Sequence, residues 1–269
     1  MQKERIKKFQ KTIWNFYKKN RRNFPWRETI DPYKILVSEI MLQQTQTDRV
    51  INYYNKWLKR FPNFKILASA KFSEIYPFWQ GLGYNRRGLN LQKAAQKAVV
   101  EYKGKLPQDI LLLEEFPGIG LYTARAVSIF SFNAPVACIE TNIRRVFIHH
   151  FFKDKNGVND EQILKLAELA LDKKKSREWH WALMDYGAYL KSAVKNPNRR
   201  HKNYSIQSKF EGSLRQIRGA VLRNLMEKKM TAKQLIKASA SSADKVKIVI
   251  SALEKEGLIK QNKKVYSLN

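Results

Sequence analysis

Apolar residues recur at helical spacing along most of this chain. Ile6, Phe9, Ile13 and Phe16/Tyr17 line one face of an amphipathic first helix. Asp31-Pro32 reads as an N-cap with proline in the first turn, opening a helix that runs to about Gln44. Val50, Ile51, Tyr54, Trp57, Leu58 and Phe61 give residues 47–61 a 3.6-residue period. Shorter helices are predicted at 64–70 and 72–79, stopped by Gly81-Leu82-Gly83, and a longer one at 84–102 ends at Gly104 with Pro107 beyond. A short helix ends at Glu115, and helices follow at 122–132, 141–152, 160–171 and 177–190.

The periodicity breaks at 191–209. This stretch carries Lys191, Lys195, Arg199, Arg200, Lys202 and Lys209, has no acidic residue, and contains Pro197 and asparagines. It reads as a basic connector that touches DNA, or as a plain solvated linker. Residues 211–269 look like a separate module, with helices at 214–228, 231–238 and 242–256. Residues 257–260 and 265–268 then alternate like two short strands around a polar turn. Three helices and a terminal hairpin resemble a winged-helix domain.

Charge sharpens this picture. In 269 residues, 52 Lys and Arg stand against 23 Asp and Glu, a formal net charge of +29. Such a field attracts polyanions, and each phosphate neutralised releases condensed counterions, so nucleic acid is the leading partner. No apolar run approaches the roughly 20 residues a bilayer requires, and no membrane partner is expected. The single cysteine, Cys138, excludes an intrachain disulfide and an all-cysteine metal cluster within one chain. Lys3, Arg5, Lys7, Lys8 and Lys11 hint at a presequence, but no small-residue cleavage site follows a signal-like apolar core. The expected location is cytoplasmic, with the chromosomal DNA.

Between two helical segments stands Phe116-Pro117-Gly118-Ile119-Gly120, with Thr123-Ala124 shortly after. Proline fixes one dihedral and the glycines permit positive φ, so backbone N–H groups can point outward with no Cβ in the way. N–H groups at a helix start favour an anion, here a DNA phosphate, while Ile119 anchors the turn in the core. The same five residues also suit an ordinary tight helix–helix turn. The basic chain and the neighbouring motifs favour the phosphate.

With the hairpin, several other segments resemble the helix-hairpin-helix DNA glycosylase superfamily, and most of all its adenine-excising (MutY-type) branch. They are Phe24-Pro25-Trp26-Arg27, Ser38-Glu39-Ile40-Met41-Leu42-Gln43-Gln44-Thr45-Gln46, Gly81-Leu82-Gly83-Tyr84, Ile139-Glu140-Thr141-Asn142-Ile143-Arg144-Arg145-Val146 and Met184-Asp185-Tyr186-Gly187-Ala188. The resemblance covers roughly residues 20 to 190. It implies an all-α, two-lobed core over 1–190, with a six-helix lobe at about 28–135 and a second lobe from the N-terminal helix plus 136–190. A connector at 191–210 and a small α+β winged-helix-like domain at 211–269 complete the expectation. The implied partner is double-stranded DNA containing a lesion or mismatch, with the target nucleotide flipped out because its glycosidic bond cannot be reached inside the stack. The protein is expected to act as a monomer.

The resemblance also assigns roles. Glu39 matches the general acid that protonates the leaving adenine, on a helix among apolar residues where desolvation would raise a carboxylate pKa. Glu140 stands where the family carries an aspartate that stabilises the sugar cation or activates the nucleophile; its extra methylene must place the carboxylate deeper or shifted, and it also suits a capping role. Tyr122 occupies the position of the Schiff-base lysine of the endonuclease III branch, and a tyrosine forms no imine, so a monofunctional enzyme is expected. Gln43, Gln44 and Thr45 suit the gap left by the flipped base. Tyr84, Arg86 and Arg87 suit the DNA backbone or the opposing base, and Pro117, Gly118, Ile119, Gly120 and Thr123 the phosphate. Arg199 and Arg200 in the connector are further DNA-binding candidates.

Two departures limit the match. The iron–sulfur cysteines that usually follow the Met184–Ala188 segment are replaced by the basic connector, so no cluster is expected; a monovalent cation at the hairpin is the one conceivable ion. The usual domain that checks for 8-oxoguanine is replaced by residues 211–269. The reading is therefore a monofunctional glycosylase for adenine opposite 8-oxoguanine or guanine. The alternatives are a glycosylase for another mismatched or damaged base, such as thymine or uracil, and a non-catalytic DNA-binding protein.

Overall fold

The computed structural model describes residues 2–207 and 209–269; Ser208, inside the expected connector, lies outside the described residues. The helices are α1 (Gln2–Asn20), α2 (Pro32–Leu42), α3 (Thr47–Arg60), α4 (Phe64–Ser69), α5 (Phe72–Trp79), α6 (Arg86–Tyr102) and α7 (Ile110–Glu114). They continue as α8 (Leu121–Phe132), α9 (Thr141–Phe151), α10 (Asp160–Leu169), α11 (Ser176–Ala193), α12 (Leu214–Glu227), α13 (Ala232–Ala238) and α14 (Ala243–Lys255). Three short strands, β1 (Met230–Thr231), β2 (Ile259–Asn262) and β3 (Val265–Leu268), form one antiparallel sheet in the order β1-β3-β2. The fold is thus all-helical apart from this small sheet. No helix among the described residues is long and apolar enough to cross a membrane.

Capping chemistry explains where the helices start. Asp31 Oδ1 accepts the Tyr33 N–H at 2.9 Å and opens α2. Asn63 caps α4, and Asp109 takes two N–H groups at the start of α7. Reciprocal capping boxes, Asn159 with Gln162 and Thr231 with Gln234, begin α10 and α13. Two boundaries differ from the sequence reading. Helix α2 stops at Leu42, because Gln43 and Gln44 form a turn in which Gln44 has φ 54°. The expected connector is partly regular: Lys191 to Ala193 extend α11, and Pro197–Arg200 form a 3-10 helix with Pro197 and Asn198 buried.

The described residues pack as two compact units. One contains the N-terminal segment through Leu36, residues 107–115 and Ile119–Ile206; the other contains Val37–Leu106, Phe116–Gly118 and Gln207–Asn269. In the first unit α11 packs along both α1 and α9. Phe9 meets Phe147 at 5.3 Å and Trp179 at 6.0 Å between ring centroids. The α9–α11 crossing is close enough to demand glycine: a Cβ on Gly187 would lie 2.3 Å from the Asn142 carbonyl oxygen. Buried Asp185 holds Arg27 in a two-pronged ion pair at 2.8 and 2.9 Å and accepts Arg22 Nε at 2.7 Å, which ties the Phe24–Arg27 segment to α11. Only such full pairing makes a buried carboxylate tolerable.

In the second unit α4 packs on α6, and the C-terminal helices pack on one another and on the sheet. Helix α12 touches α5, the Ser73 N–H donates to the Asn269 carbonyl at 3.0 Å, and Gly257 approaches Leu89 of α6. Trp57, Phe61 and Trp79 form the aromatic centre of this unit, with Trp57 and Trp79 edge to face at 5.4 Å.

Candidate functional site

In the second unit, Glu39 lies on α2 and is only 6% exposed, with Ile40 and Met41 beside it also buried. A carboxyl there is removed from bulk water on a rigid element. One turn further on, the chain leaves the helix through Gln43 and Gln44; Gln44 is exposed and Gln43 half-buried. Thr45 closes the turn, its N–H donating to the Leu42 carbonyl at 3.2 Å and its hydroxyl to the Gln43 carbonyl at 3.2 Å.

Tyr84 is 43% exposed with φ 46°, and its hydroxyl accepts a hydrogen bond from Gln207 Nε2 at 2.6 Å. Arg86 is exposed at the start of α6. Arg87 points the other way, with Nη1 2.7 Å from the Ile40 carbonyl and 2.6 Å from that of Gln43. Burial pulls its pKa down to about 10, which leaves it a cation at neutral pH.

The hairpin begins in the same unit. Phe116 is 2% exposed and packs against Tyr102 at 5.2 Å, with Lys97 Nζ 5.4 Å from its ring centroid. Pro117 is half-buried and Gly118 exposed. Gly118 has φ 81°, and a Cβ there would lie 2.7 Å from Asn90 Cβ, so backbone and space both require glycine.

The rest of the hairpin and Glu140 belong to the first unit. Ile119 is buried; Gly120 is exposed and begins α8 without a side-chain cap. Tyr122 is half-exposed in the first turn and Thr123 is buried. Glu140 is the N-cap of α9. Its side chain folds back, so that Oε1 accepts the Asn142 N–H at 2.7 Å and the Ile143 N–H at 2.8 Å. Oε2 accepts Asn142 Nδ2 at 3.2 Å. Burial pushes the Glu140 carboxyl up from its ordinary range, while the two N–H donors and the nearby Arg145 and Arg144 oppose the rise.

Sequence reasoning did not single out the groups that hold this carboxylate. Arg145 Nη1 bonds both Asn142 Oδ1 at 2.7 Å and the Gly187 carbonyl at 2.6 Å, fixing the Asn142 side chain against Glu140. Arg144 pairs with Asp160 through two bonds at 2.7 and 2.8 Å. Beside the start of α9 is a cavity of about 230 Å³, lined in part by Thr141, Arg144, Arg145, Asn198 and His201. Arg199 is exposed, and Arg200 donates to the Lys153 carbonyl. Among the described residues no group of three or more His, Cys, Asp or Glu could hold a metal ion.

Two helices, α7 and α8, joined by Phe116-Pro117-Gly118-Ile119-Gly120, define a helix-hairpin-helix protein. The profile of the family described as HhH-GPD superfamily base excision DNA repair protein matches residues 37–171, and the chain belongs to that family. It is 37% identical over 184 residues to an adenine DNA glycosylase of Buchnera aphidicola, covering 68% of this chain and 52% of that protein. It is 33% identical over 192 residues to the human adenine DNA glycosylase, covering 67% of this chain and 35% of the relative. The chain thus spans about half, or less, of the length of these curated relatives. A solved structure of a thermostable thymine-DNA glycosylase is similar with a TM-score of 0.65 and 30% identity, covering 72% of this chain and 91% of that one.

Proposed function

We propose that this chain is a monofunctional base-excision DNA glycosylase acting on adenine opposite 8-oxoguanine or guanine in duplex DNA. The observation that carries the reading is Glu39, a buried carboxyl on α2 one turn before the Gln43–Gln44 turn. The adenine DNA glycosylases similar over two thirds of the chain support the choice of base. Glu39 donates its proton to the ring nitrogen of the extruded adenine, and the glycosidic electron pair leaves with the base. Glu140 supplies negative charge to the sugar cation through Oε2, while Oε1 is held by the α9 amides. Water then adds to the anomeric carbon and releases a proton. No resident metal or cluster is needed for this sequence. Tyr122 forms no imine with the sugar, so the product is an abasic site in an intact strand. The enzyme works as a monomer on chromosomal DNA in the cytoplasm.

The test is a panel of labelled duplexes carrying A opposite 8-oxoguanine, A opposite G, T opposite G, and U opposite G, incubated with the full chain and then treated with alkali. Strand breaks at adenine that appear only after alkali are expected. Breaks at thymine or uracil instead would favour a second reading, a pyrimidine mismatch glycosylase, for which the similar thymine-DNA glycosylase speaks. Salt-sensitive binding with no product from any duplex would sink both in favour of a DNA-binding protein without chemistry.

A further inference from the structure

Arg86 and Arg87 are neighbours in sequence, yet Arg87 alone is aimed into the protein. Its Nη1 donates to the carbonyls of Ile40 at 2.7 Å, Met41 at 3.2 Å and Gln43 at 2.6 Å. Its Nη2 donates to the carbonyls of Leu82 at 3.2 Å and Gly83 at 3.1 Å, with Thr45 Oγ1 at 3.4 Å. The rings of Trp79 and Tyr84 lie 5.5 and 5.6 Å from the guanidinium carbon. The first set of acceptors ends α2, where a helix leaves carbonyls unmatched and carries partial negative charge. The second set belongs to the loop before α6. Each loop contains a non-glycine residue in the left-handed region, Gln44 at φ 54° and Tyr84 at φ 46°. Such backbone is strained for a side-chain-bearing residue and persists only where its surroundings hold it.

We propose that Arg87 is a positioning residue that binds the Gln43–Thr45 turn and the Leu82–Tyr84 loop with one guanidinium, holding Gln44 and Tyr84 in the geometry that probes the duplex. This rests on the base-extruding glycosylase reading and assigns Arg87 away from DNA phosphate. Six protein acceptors surround its two Nη groups. Its remaining donor, Nε, is buried without a partner among the described residues, so Arg87 presents no accessible N–H to a phosphate. Lysine keeps the charge but loses the planar fork that reaches both loops.

The test compares Arg87→Lys and Arg86→Ala in the full chain. Duplex affinity is measured against salt, backbone hydrogen exchange is followed at 43–45 and 82–84, and extrusion is read from 2-aminopurine fluorescence at the target position. Arg86→Ala should lower the slope of log affinity against log salt by about one, as loss of one phosphate contact does. Arg87→Lys should leave that slope unchanged, speed exchange in both loops together, and cut extrusion and single-turnover excision by ~100-fold, the scale expected of a small misplacement. A slope reduced by one in Arg87→Lys, or loops and extrusion as in the parent, overturns the proposal. Should Arg87→Lys fail to fold, Thr45→Val removes the longest of these bonds together with the hydroxyl's own bond to the Gln43 carbonyl. Exchange at 82–84, which that second bond does not touch, should still quicken ~3-fold, within the range of one weak hydrogen bond; no change at 82–84 then counts against the proposal. If the parent excises no base, the glycosylase reading fails, while the exchange and salt measurements still decide the role of Arg87.

Discussion

Two carboxylates and a histidine carry the predictions at the scale of single residues. Glu39→Gln keeps size and hydrogen bonding but donates no proton; single-turnover excision should fall by ~10²–10⁴-fold, the usual contribution of a general acid. The proposed chemistry adds a second, separable role to the cap that Glu140 forms on α9. Glu140→Gln retains an oxygen for the Asn142 and Ile143 amides, so stability should change by less than about 1 kcal/mol while excision collapses. Glu140→Ala should lose both, with a lowered urea midpoint as well. An ionised Glu140 is what the sugar cation needs, and burial raises its pKa. Excision should therefore climb with pH through an acid limb displaced above the ordinary glutamate range, read from a single-turnover pH profile.

His180 is 1% exposed; its Nδ1 lies 2.7 Å from the Ser176 carbonyl, and Nε2 accepts the Cys138 N–H at 3.3 Å. The pair of bonds fixes the neutral tautomer with the proton on Nδ1. Burial lowers its pKa to about 4. Because the unfolded chain binds this proton more readily than the folded one, stability is full above about 6.5 and is lost as pH falls from there toward 4. The loss is on the order of 3 kcal/mol. Urea melts at pH 7, 6 and 5 should show it, and His180→Gln should flatten the dependence.

Among elements, the α9–α11 crossing is the most exacting. Gly187→Ala places a methyl against the Asn142 backbone oxygen, which cannot move without shifting α9 and the Glu140 cap. A cost of about 2–3 kcal/mol is expected, visible as a drop of several degrees in the thermal midpoint. Most helices were legible because each buries a stripe at 3.6-residue spacing and begins at Asp, Asn or Thr, as α7, α10 and α13 do. Strand β1 was not, since two residues carry no alternation; only pairing of Met230 with Tyr266 makes it a strand. The end of α2 differs by two residues because glutamine is a good helix former, and the turn at Gln44, with φ 54°, is met by Arg87, 44 residues on from Gln43. For the candidate site, the family resemblance and not residue type alone pointed to Glu39 and Glu140. Neither gave a sign of where Arg87 would point, or that Tyr84 would meet Gln207 across 123 residues.

At the level of the whole molecule, charge is the dominant property. With a formal net charge of +29, duplex binding should be strongly salt-dependent. If six or more phosphates are engaged, affinity should fall at least ~10³-fold between 50 and 200 mM salt, measured by anisotropy on an undamaged duplex. A shallow slope would mean that most of the basic residues only solvate the surface. The family profile matches residues 37–171, yet the chain continues into α12, α13, α14 and the sheet, which share a unit with α5 and α6 and meet them through α12, Gly257 and Asn269. The helices and the terminal hairpin of this C-terminal part were legible, whereas the contacts of Ser73 with Asn269 and of Leu89 with Gly257 span distances that no local pattern encodes.

The chain's single thiol, Cys138, is 1% exposed beside His180, so reagents that alkylate surface cysteines should leave the native protein unmodified. A cysteine introduced at exposed Gln44 or Arg86 would then be the sole point of attachment for a spin label or fluorophore, without first removing the natural one. The buried thiol makes this chain ready for spectroscopy in its native sequence background.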